Sequence, residues 1–164
     1  MTSTQLQNSP QVGDDAPDFT AASTSGSNLT LSALRGKSNV LLAFFPLAFT
    51  GTCTKELICF TEDFDRFSAE GVEILPISVD STASLREFKN KLKMKTELLS
   101  DFKRDVSRAY GVLNEDRFYS NRAYFLIDRV GKVRWRHVEA NNGDRREDRE
   151  ILAEIAKLNS KSST

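Results

Sequence analysis

The chain has 164 residues, the length of one ordinary domain. Its 23 basic and 23 acidic side chains cancel, which argues against a nucleic-acid platform or a polybasic membrane anchor. Two cysteines and one histidine are too few for a structural zinc site without carboxylates. Two cysteines are also too few for a small secreted fold that depends on disulfide bonds. We therefore expect no metal, no cofactor and a reducing compartment.

The two ends of the chain are predicted to be flexible. Residues 1–12 and 159–164 are polar and small, so we place the folded domain at 13–158. Residues 1–14 lack the charged and apolar parts of a signal peptide, and the longest apolar run, 40–49, is half of a membrane span. The expectation is a cytoplasmic protein that binds neither membrane nor nucleic acid.

Strands and helices alternate in the first half of the chain. A short strand over 28–32 runs into a helical turn. Residues 39–45 are continuously apolar, which is typical of a central strand buried on both faces. Apolar residues then recur every three or four positions over 52–69 and predict one amphipathic helix. A second strand follows over 72–79, where Pro76 indicates an edge position or a bulge.

The second half continues the alternation and then changes to a hairpin. The predicted elements are a polar helix from Ser81 or Thr82 to about 92, a brief strand over 97–99, a short helix over 106–110, a hairpin over 122–127 and 132–138, and an amphipathic helix over 144–158. This order predicts an α/β fold, with a mixed central β-sheet flanked by helices on both faces. The sheet is expected to be parallel first and antiparallel at the end.

Charge is unevenly distributed along the chain. Residues 1–82 contain 4 basic and 10 acidic side chains, net −6, whereas residues 83–164 contain 19 and 13, net +6. Both cysteines, Cys53 and Cys59, lie in the acidic half. We therefore expect any cation that activates a cysteine to come from the basic half.

The segment from Pro46 to Cys53 carries the strongest chemical signal. It leaves a buried strand, turns at Pro46 and Gly51, and places Cys53 in the first turn of the next helix. Unpaired N–H groups and the positive end of the helix dipole there favour a thiolate. A helix N-terminus contributes about 1 kcal/mol, so a larger effect requires a cation.

The spacing of Pro46, Thr50 and Cys53 forms a recognisable motif. It is Pro-x3-Thr-x2-Cys, and with it the chain resembles the peroxiredoxins, in particular the alkyl hydroperoxide reductase E and bacterioferritin-comigratory types. The resemblance spans about residues 12–158. The segments that carry it are FFPLAFTGTCTKEL around the motif, GDDAPDFT from 13, LLSDF from 98, AYGV from 109 and NRAYFLID from 121.

The resemblance implies a thioredoxin-like fold and a thiol-specific peroxidase. Such an enzyme reduces hydrogen peroxide and organic hydroperoxides through a cysteine sulfenic acid, in antioxidant defence. Cys53 would be the peroxidatic nucleophile, Thr50 would donate a hydrogen bond to thiolate and peroxide, and Pro46 would shield the pocket. The family's arginine maps to Arg122, and Glu56 matches the acid that orients it.

The resemblance also implies partners. A peroxide is the substrate, and the reductant is a thiol such as thioredoxin, a glutaredoxin-like protein or a low-molecular-weight thiol. A homodimer is a further candidate assembly.

The position of Cys59 departs from the family pattern. A resolving cysteine often lies five residues after the nucleophile, whereas Cys59 is six after Cys53. In a continuous helix six residues separate the Cα atoms by about 10 Å, beyond the ~7 Å limit for a disulfide. Either the helix unwinds and Cys59 resolves Cys53, or Cys59 is an inert thiol and an external thiol completes the cycle.

Two other functions are alternatives to a peroxidase. A thioredoxin-like redox-sensing or binding module would need no turnover, but the set of Pro46, Thr50, Cys53 and Arg122 argues against it. A dithiol–disulfide oxidoreductase is disfavoured because the chain contains no Cys-x-x-Cys.

Overall fold

The computed structural model describes residues 9–162, which form a mixed sheet with helices on both faces. The strands are β1 Thr20–Ser23, β2 Asn28–Thr30, β3 Asn39–Phe44, β4 Val72–Ser78, β5 Leu99–Ser100, β6 Leu113–Asn114, β7 Tyr119–Ser120, β8 Ala123–Ile127 and β9 Val133–Val138. The α-helices are α1 Gly51–Glu62, α2 Phe64–Ala69, α3 Thr82–Leu92, α4 Asp105–Ala109 and α5 Asp148–Ser162, and a 3-10 helix covers Leu31–Leu34.

Seven strands form the main sheet in the order β2-β1-β5-β4-β3-β8-β9. The pairs β3–β4 and β4–β5 are parallel, while β3–β8 and β8–β9 are antiparallel. The predicted fold class, a mixed sheet flanked by helices, is confirmed. The predicted order, parallel pairing first and antiparallel pairing at the end, is only partly right, because β1, the first strand, pairs antiparallel with both β2 and β5.

The core lies on both faces of β3, which is buried at every residue because the strand is continuously apolar. One face packs against α1, α2, α3 and α5 through residues that include Leu41, Phe45, Cys53, Leu57, Phe60, Phe67, Leu85, Phe88, Tyr124, Ile151 and Ile155. The other face packs against the 3-10 helix and α4 through residues that include Leu31, Leu42, Phe44, Ile77, Val106, Tyr110 and Phe125.

The helix predicted over 52–69 is two helices. Asp63 leaves helical geometry, with φ −95° and ψ 9°, and so separates α1 from α2. The break lets Phe67 meet Phe60 edge to face, with ring centroids 6.0 Å apart. Apolar spacing continues through the break, so periodicity does not reveal it.

The edge position suggested by Pro76 is wrong, because β4 lies between β3 and β5. The N–H of Phe45 donates to the carbonyl of Ile77, so Pro76, one residue earlier, directs its nitrogen away from β3. β5 pairs with β4 only at Ile77 and Ser78. The missing N–H therefore removes no bond from either ladder.

Both ends of the described chain make regular structure or contacts that the composition does not predict. The Ser9 side chain is buried and donates to the Tyr110 carbonyl at 2.8 Å, although residues 1–12 are expected to be flexible. Helix α5 starts at Asp148 and continues through Ser162, beyond the expected end at 158. The remaining residues of the predicted tails, 1–8 and 163–164, lie outside the described residues.

Three described strands, β1, β6 and β7, are absent from the sequence prediction. They contain four, two and two residues and lack a sustained apolar pattern. Within residues 9–162 no helix has both the length and the apolar character needed to cross a bilayer.

Candidate active site

The antiparallel pairing of β3 and β8 brings the two halves of the chain together at one edge of the sheet. Phe44, the last residue of β3, is paired with Ala123, the first residue of β8. Pro46 therefore leaves the sheet close to the point where Arg122 enters it. Helix α1 begins at the same edge and supplies Cys53.

Cys53 is the third residue of α1, and its side chain is only 1% exposed. Thr50 is the N-cap residue, in extended conformation, and makes no side-chain bond to the first turn. The first-turn N–H groups lack intrahelical acceptors, and the positive end of the dipole lies beside the sulfur. These features favour negative charge on Cys53.

Arg122 uses both terminal nitrogens of its guanidinium in the site. Nη2 lies 3.0 Å from the sulfur of Cys53, and Nη1 lies 3.0 Å from Oε1 of Glu56. Nη2 also donates to the carbonyl of Asn142 at 3.3 Å. The planar fork thus fixes one cation between a thiol and a carboxylate.

Glu56 is completely buried and has a partner on each oxygen. Arg122 donates to Oε1, and the hydroxyl of Tyr124 donates to Oε2. Burial raises the pKa of Glu56, and the charge of Arg122 and the hydrogen bond from Tyr124 act against that rise. Burial also raises the pKa of Tyr124, and the charge of Glu56 adds to this effect, so its hydroxyl stays a donor.

The guanidinium of Arg122 remains charged in this buried setting. Burial alone would lower its pKa, but the negative charges of Glu56 and Cys53 outweigh burial, and the pKa is raised. Its Nε is buried and has no hydrogen-bond partner among the described residues. The site therefore holds a permanent cation next to the sulfur.

The loop over 139–147, which connects β9 to α5, is hydrogen-bonded to residues of the site. The Oδ1 of Asn142 accepts from the backbone N–H of Arg122 at 3.1 Å, and the carbonyl of Gly143 accepts from Thr52 at 3.4 Å. The backbone N–H of Arg146 donates to the hydroxyl of Tyr124 at 3.1 Å. This loop is therefore bonded to both the active-site helix and the arginine.

The hydroxyl of Thr50 does not donate to Cys53 in this structure. It donates to the carbonyl of Leu47 at 2.8 Å, within the turn that precedes α1. Pro46 is buried at the start of that turn. Phe49 has φ +67°, an uncommon conformation for a bulky residue, so the turn is strained one residue before Thr50.

Cys59 lies apart from the group around Cys53. Both thiols are free, Cys59 is half-buried, and α1 is continuous through both positions. Burial raises the pKa of Cys59, the charge of Arg145 acts against this rise, and the carboxylates of Asp148, Glu62 and Asp63 add smaller increases, so the pKa is raised. The structure therefore joins Cys53, Glu56 and Arg122, and it leaves Cys59 outside that contact.

Sequence reasoning missed Tyr124 and Asn142. Tyr124 is two positions after Arg122 on a strand, so alternation puts both on one face, and that signal was available. Asn142 lies in an irregular loop, where no periodicity indicates its neighbours. Within residues 9–162 no group of three or more His, Cys, Asp or Glu is arranged to hold a metal ion.

Comparison with known proteins agrees with this geometry. The AhpC/TSA family matches residues 12–136. Alkyl hydroperoxide reductase E of Mycobacterium tuberculosis is 40% identical over 126 residues, 76% of this chain and 82% of the relative. Peroxiredoxin 2 of Thermoplasma acidophilum is 39% identical over 130 residues, 76% of this chain and 64% of the relative. The reduced 2-Cys peroxiredoxin of Plasmodium vivax superimposes with TM-score 0.87 at 35% identity, covering 93% of this chain and 83% of the other.

A thioredoxin-like sheet with a cysteine at a helix N-terminus beside a buried arginine defines a thiol-dependent peroxidase. The chain belongs to the AhpC/TSA family and is a peroxiredoxin. It reduces peroxides with electrons from thiols, an antioxidant function. The comparisons do not favour the alternative of a module without turnover.

Proposed function

We propose that Cys53 performs the peroxidase reaction as a thiolate and that Arg122 and Thr50 bind the peroxide. The observation that carries this assignment is the 3.0 Å contact between Nη2 of Arg122 and the sulfur. A fixed cation beside a sulfur that is 1% exposed favours the thiolate, which is the nucleophilic form.

In the first step the sulfur of Cys53 attacks the terminal oxygen of a hydroperoxide, ROOH. The S–O bond forms as the O–O bond breaks, so the sulfur is oxidised to sulfenic acid and the peroxide is reduced to RO⁻. A proton converts RO⁻ to an alcohol, or to water when the substrate is hydrogen peroxide. Arg122 stabilises the charge that moves onto the leaving oxygen.

Two residues of the turn before α1 assist this step. The hydroxyl of Thr50 can rotate from the Leu47 carbonyl to donate to the thiolate and a peroxide oxygen. Pro46, buried where β3 ends, keeps water from the sulfur. Glu56 holds Arg122 in place through Nη1.

In the second step an external thiol, R′SH, reduces the sulfenic acid. It forms a mixed disulfide with Cys53 and releases water, and a second thiol then frees Cys53 as R′SSR′ forms. Thioredoxin, a glutaredoxin-like protein or a low-molecular-weight thiol fits this role. A comparison of turnover with each reductant at equal thiol concentration identifies the efficient one.

We assign no resolving role to Cys59. The continuous helix keeps the two Cα atoms about 10 Å apart, and the raised pKa of Cys59 disfavours its thiolate at neutral pH. After one equivalent of peroxide we expect peptide mapping to find sulfenic acid at Cys53 and a free thiol at Cys59. An intramolecular Cys53–Cys59 disulfide would overturn this part of the proposal.

The residue assignment is tested by stopped-flow reduction of hydrogen peroxide and an alkyl hydroperoxide. Cys53→Ser is expected to abolish the fast oxidation step, whereas Cys59→Ser, the matched control, retains it. Equal rates for wild type and Cys53→Ser would contradict the assignment.

We propose a homodimer as the assembly. Phe102 and Phe118 are 61% and 45% exposed, and both rings lie against the guanidinium of Arg104, so they belong to one surface that a second copy would remove from water. Sedimentation velocity of wild type and Phe102→Glu tests this. A wild-type chain that sediments as a monomer at micromolar concentration would contradict a dimer.

We place the protein in the cytoplasm, where thiols stay reduced. The support is the presence of two free cysteines and the need for a thiol reductant. Fractionation of cells with an antibody against the chain tests this placement.

A further inference from the structure

Tyr124 is a completely buried residue of β8 whose hydroxyl uses both of its hydrogen-bonding functions in the active site. It donates to Oε2 of Glu56 and accepts from the backbone N–H of Arg146 at 3.1 Å. Its ring also packs near Trp135, with centroids 6.2 Å apart. The hydroxyl therefore belongs to the polar network, while the ring belongs to the core.

The Glu56–Tyr124 bond bears directly on the orientation of Arg122. Oε1 of Glu56 accepts from Nη1 of Arg122, so the direction of the carboxylate sets the rotation of the guanidinium. Nη2 of the same guanidinium contacts the sulfur of Cys53. A small rotation keeps the positive charge beside the sulfur, because Coulomb attraction changes slowly with distance, but it turns the N–H donors away from the peroxide oxygens, because hydrogen bonds depend steeply on angle. Without the hydroxyl, no described residue in these contacts replaces the donor at Oε2, and a buried carboxylate oxygen is left unsatisfied.

The hydroxyl of Tyr124 also connects Arg122, through Glu56, to the loop over 139–147. Arg146 donates to Tyr124 from one end of the loop, and Asn142 accepts from Arg122 through its carbonyl and side chain. The loop is thus bonded at two places, to Tyr124 and to Arg122, and Glu56 links these two residues. A change at Tyr124 affects both the carboxylate and the loop.

We propose that Tyr124 is a positioning residue for peroxide reduction: its hydroxyl orients Glu56, and through Glu56 it places Arg122 where the leaving oxygen of the peroxide develops charge. This inference rests on the proposed roles of Cys53 and Arg122. Tyr124 does not itself touch the sulfur in any described contact. It acts on geometry and not on the amount of thiolate.

Tyr124→Phe separates an effect on the position of Arg122 from an effect on the amount of thiolate, because phenylalanine keeps the ring and loses only the hydroxyl. Alkylation of Cys53 by iodoacetamide needs a thiolate, whereas peroxide reduction also needs a correctly placed guanidinium. We expect the rate constant for hydrogen peroxide to fall about tenfold. The alkylation rate at pH 7 should change less than about twofold.

The matched control is Tyr110→Phe. Tyr110 is also completely buried, and its hydroxyl donates to the carbonyl of Pro17 at 2.8 Å, outside the site. This variant should lose similar thermal stability and keep both rates. Equal losses in peroxide reduction and alkylation for Tyr124→Phe, or an unchanged peroxide rate, would overturn the proposal.

A different result is expected if the proposed roles of Cys53 and Arg122 are wrong. If Cys53→Ser kept the peroxidase reaction, the roles of Cys53 and Arg122 would be wrong whatever Tyr124→Phe showed. If Cys53→Ser is inactive and Tyr124→Phe is fully active, only the role of Tyr124 is wrong.

Discussion

Nη2 of Arg122 lies 3.0 Å from the sulfur of Cys53, although 69 positions separate the two residues in the chain. The antiparallel pairing of β3 with β8 makes this contact, because the end of one strand lies beside the start of the other. The cation comes from the basic half of the chain and the thiol from the acidic half. The active site is thus assembled by the sheet.

Arg122→Ala should lower the reactivity of Cys53, because it removes the cation that contacts the sulfur. With the cation gone, only the helix N-terminus favours negative charge on the sulfur. We expect alkylation of Cys53 at pH 7 to slow at least fivefold and the peroxide rate constant to fall at least tenfold. Stopped-flow and alkylation assays measure both. Arg149→Ala, which removes an exposed arginine of α5, is the control, and an unchanged alkylation rate in Arg122→Ala would count against the role of Arg122.

Glu56 and Arg122 should be strongly coupled in stability. Their side chains are 0% and 1% exposed, so removal of one partner leaves the other charge buried. Glu56→Gln and Arg122→Met should each lower the free energy of unfolding by about 3 kcal/mol. The double variant should lose clearly less than the sum, with a coupling of about 1 kcal/mol or more in urea unfolding. Additive losses would show that the two charges do not stabilise each other.

Thr50 should affect peroxide reduction more than thiolate formation. Its hydroxyl is the polar group of the turn before α1 and donates to Leu47 in the resting site. Thr50→Val should lower the peroxide rate constant about tenfold or more and leave alkylation of Cys53 nearly unchanged. Thr50→Ser keeps the hydroxyl and should retain most activity. Equal activity of Thr50→Val and Thr50→Ser would show that the hydroxyl takes no part in peroxide reduction.

Asp148 should make stability depend on pH near neutrality. Its carboxyl group is buried and lies beside the carboxylate of Asp63, to which it can donate a hydrogen bond only when it is protonated. Burial, together with the nearby Asp63, raises the pKa of Asp148 from 3.8 to about 7. Between about pH 4 and pH 7 the folded state therefore holds a proton that the unfolded chain has released, so this residue makes the protein less stable as pH rises.

Asp148→Asn tests whether the ionisation of Asp148 lowers stability as pH rises. The variant should match wild type near pH 4 and exceed it by about 2 kcal/mol in unfolding free energy at pH 8. Urea denaturation across this range measures the difference, and Asp144→Asn, at an exposed position of the preceding loop, should show no such trend. A pH-independent difference for Asp148→Asn would contradict the raised pKa.

Local pattern was sufficient for most of the fold. The apolar run of β3, the Ser81 cap of α3 and the hairpin of β8 and β9 appear where the sequence predicts them, because period, capping and turn residues act over a few positions. The break at Asp63 was not predicted, because it depends on how α2 meets the core and the apolar spacing passes through it. The short strands β1, β6 and β7 were not predicted for the same reason, because their pairing with other strands, and not their composition, defines them.

The sequence by itself determined the family, the nucleophile candidate Cys53 and the expectation that its cation lies in the basic half. Those conclusions depend on motif spacing and charge, which are read along the chain. Only the tertiary structure decided that Glu56 and Tyr124 share a buried carboxylate contact, and that Cys59 stays free on a continuous helix. Such relationships depend on which side chains meet in space and on their burial, and residues far apart in sequence carry no local record of either.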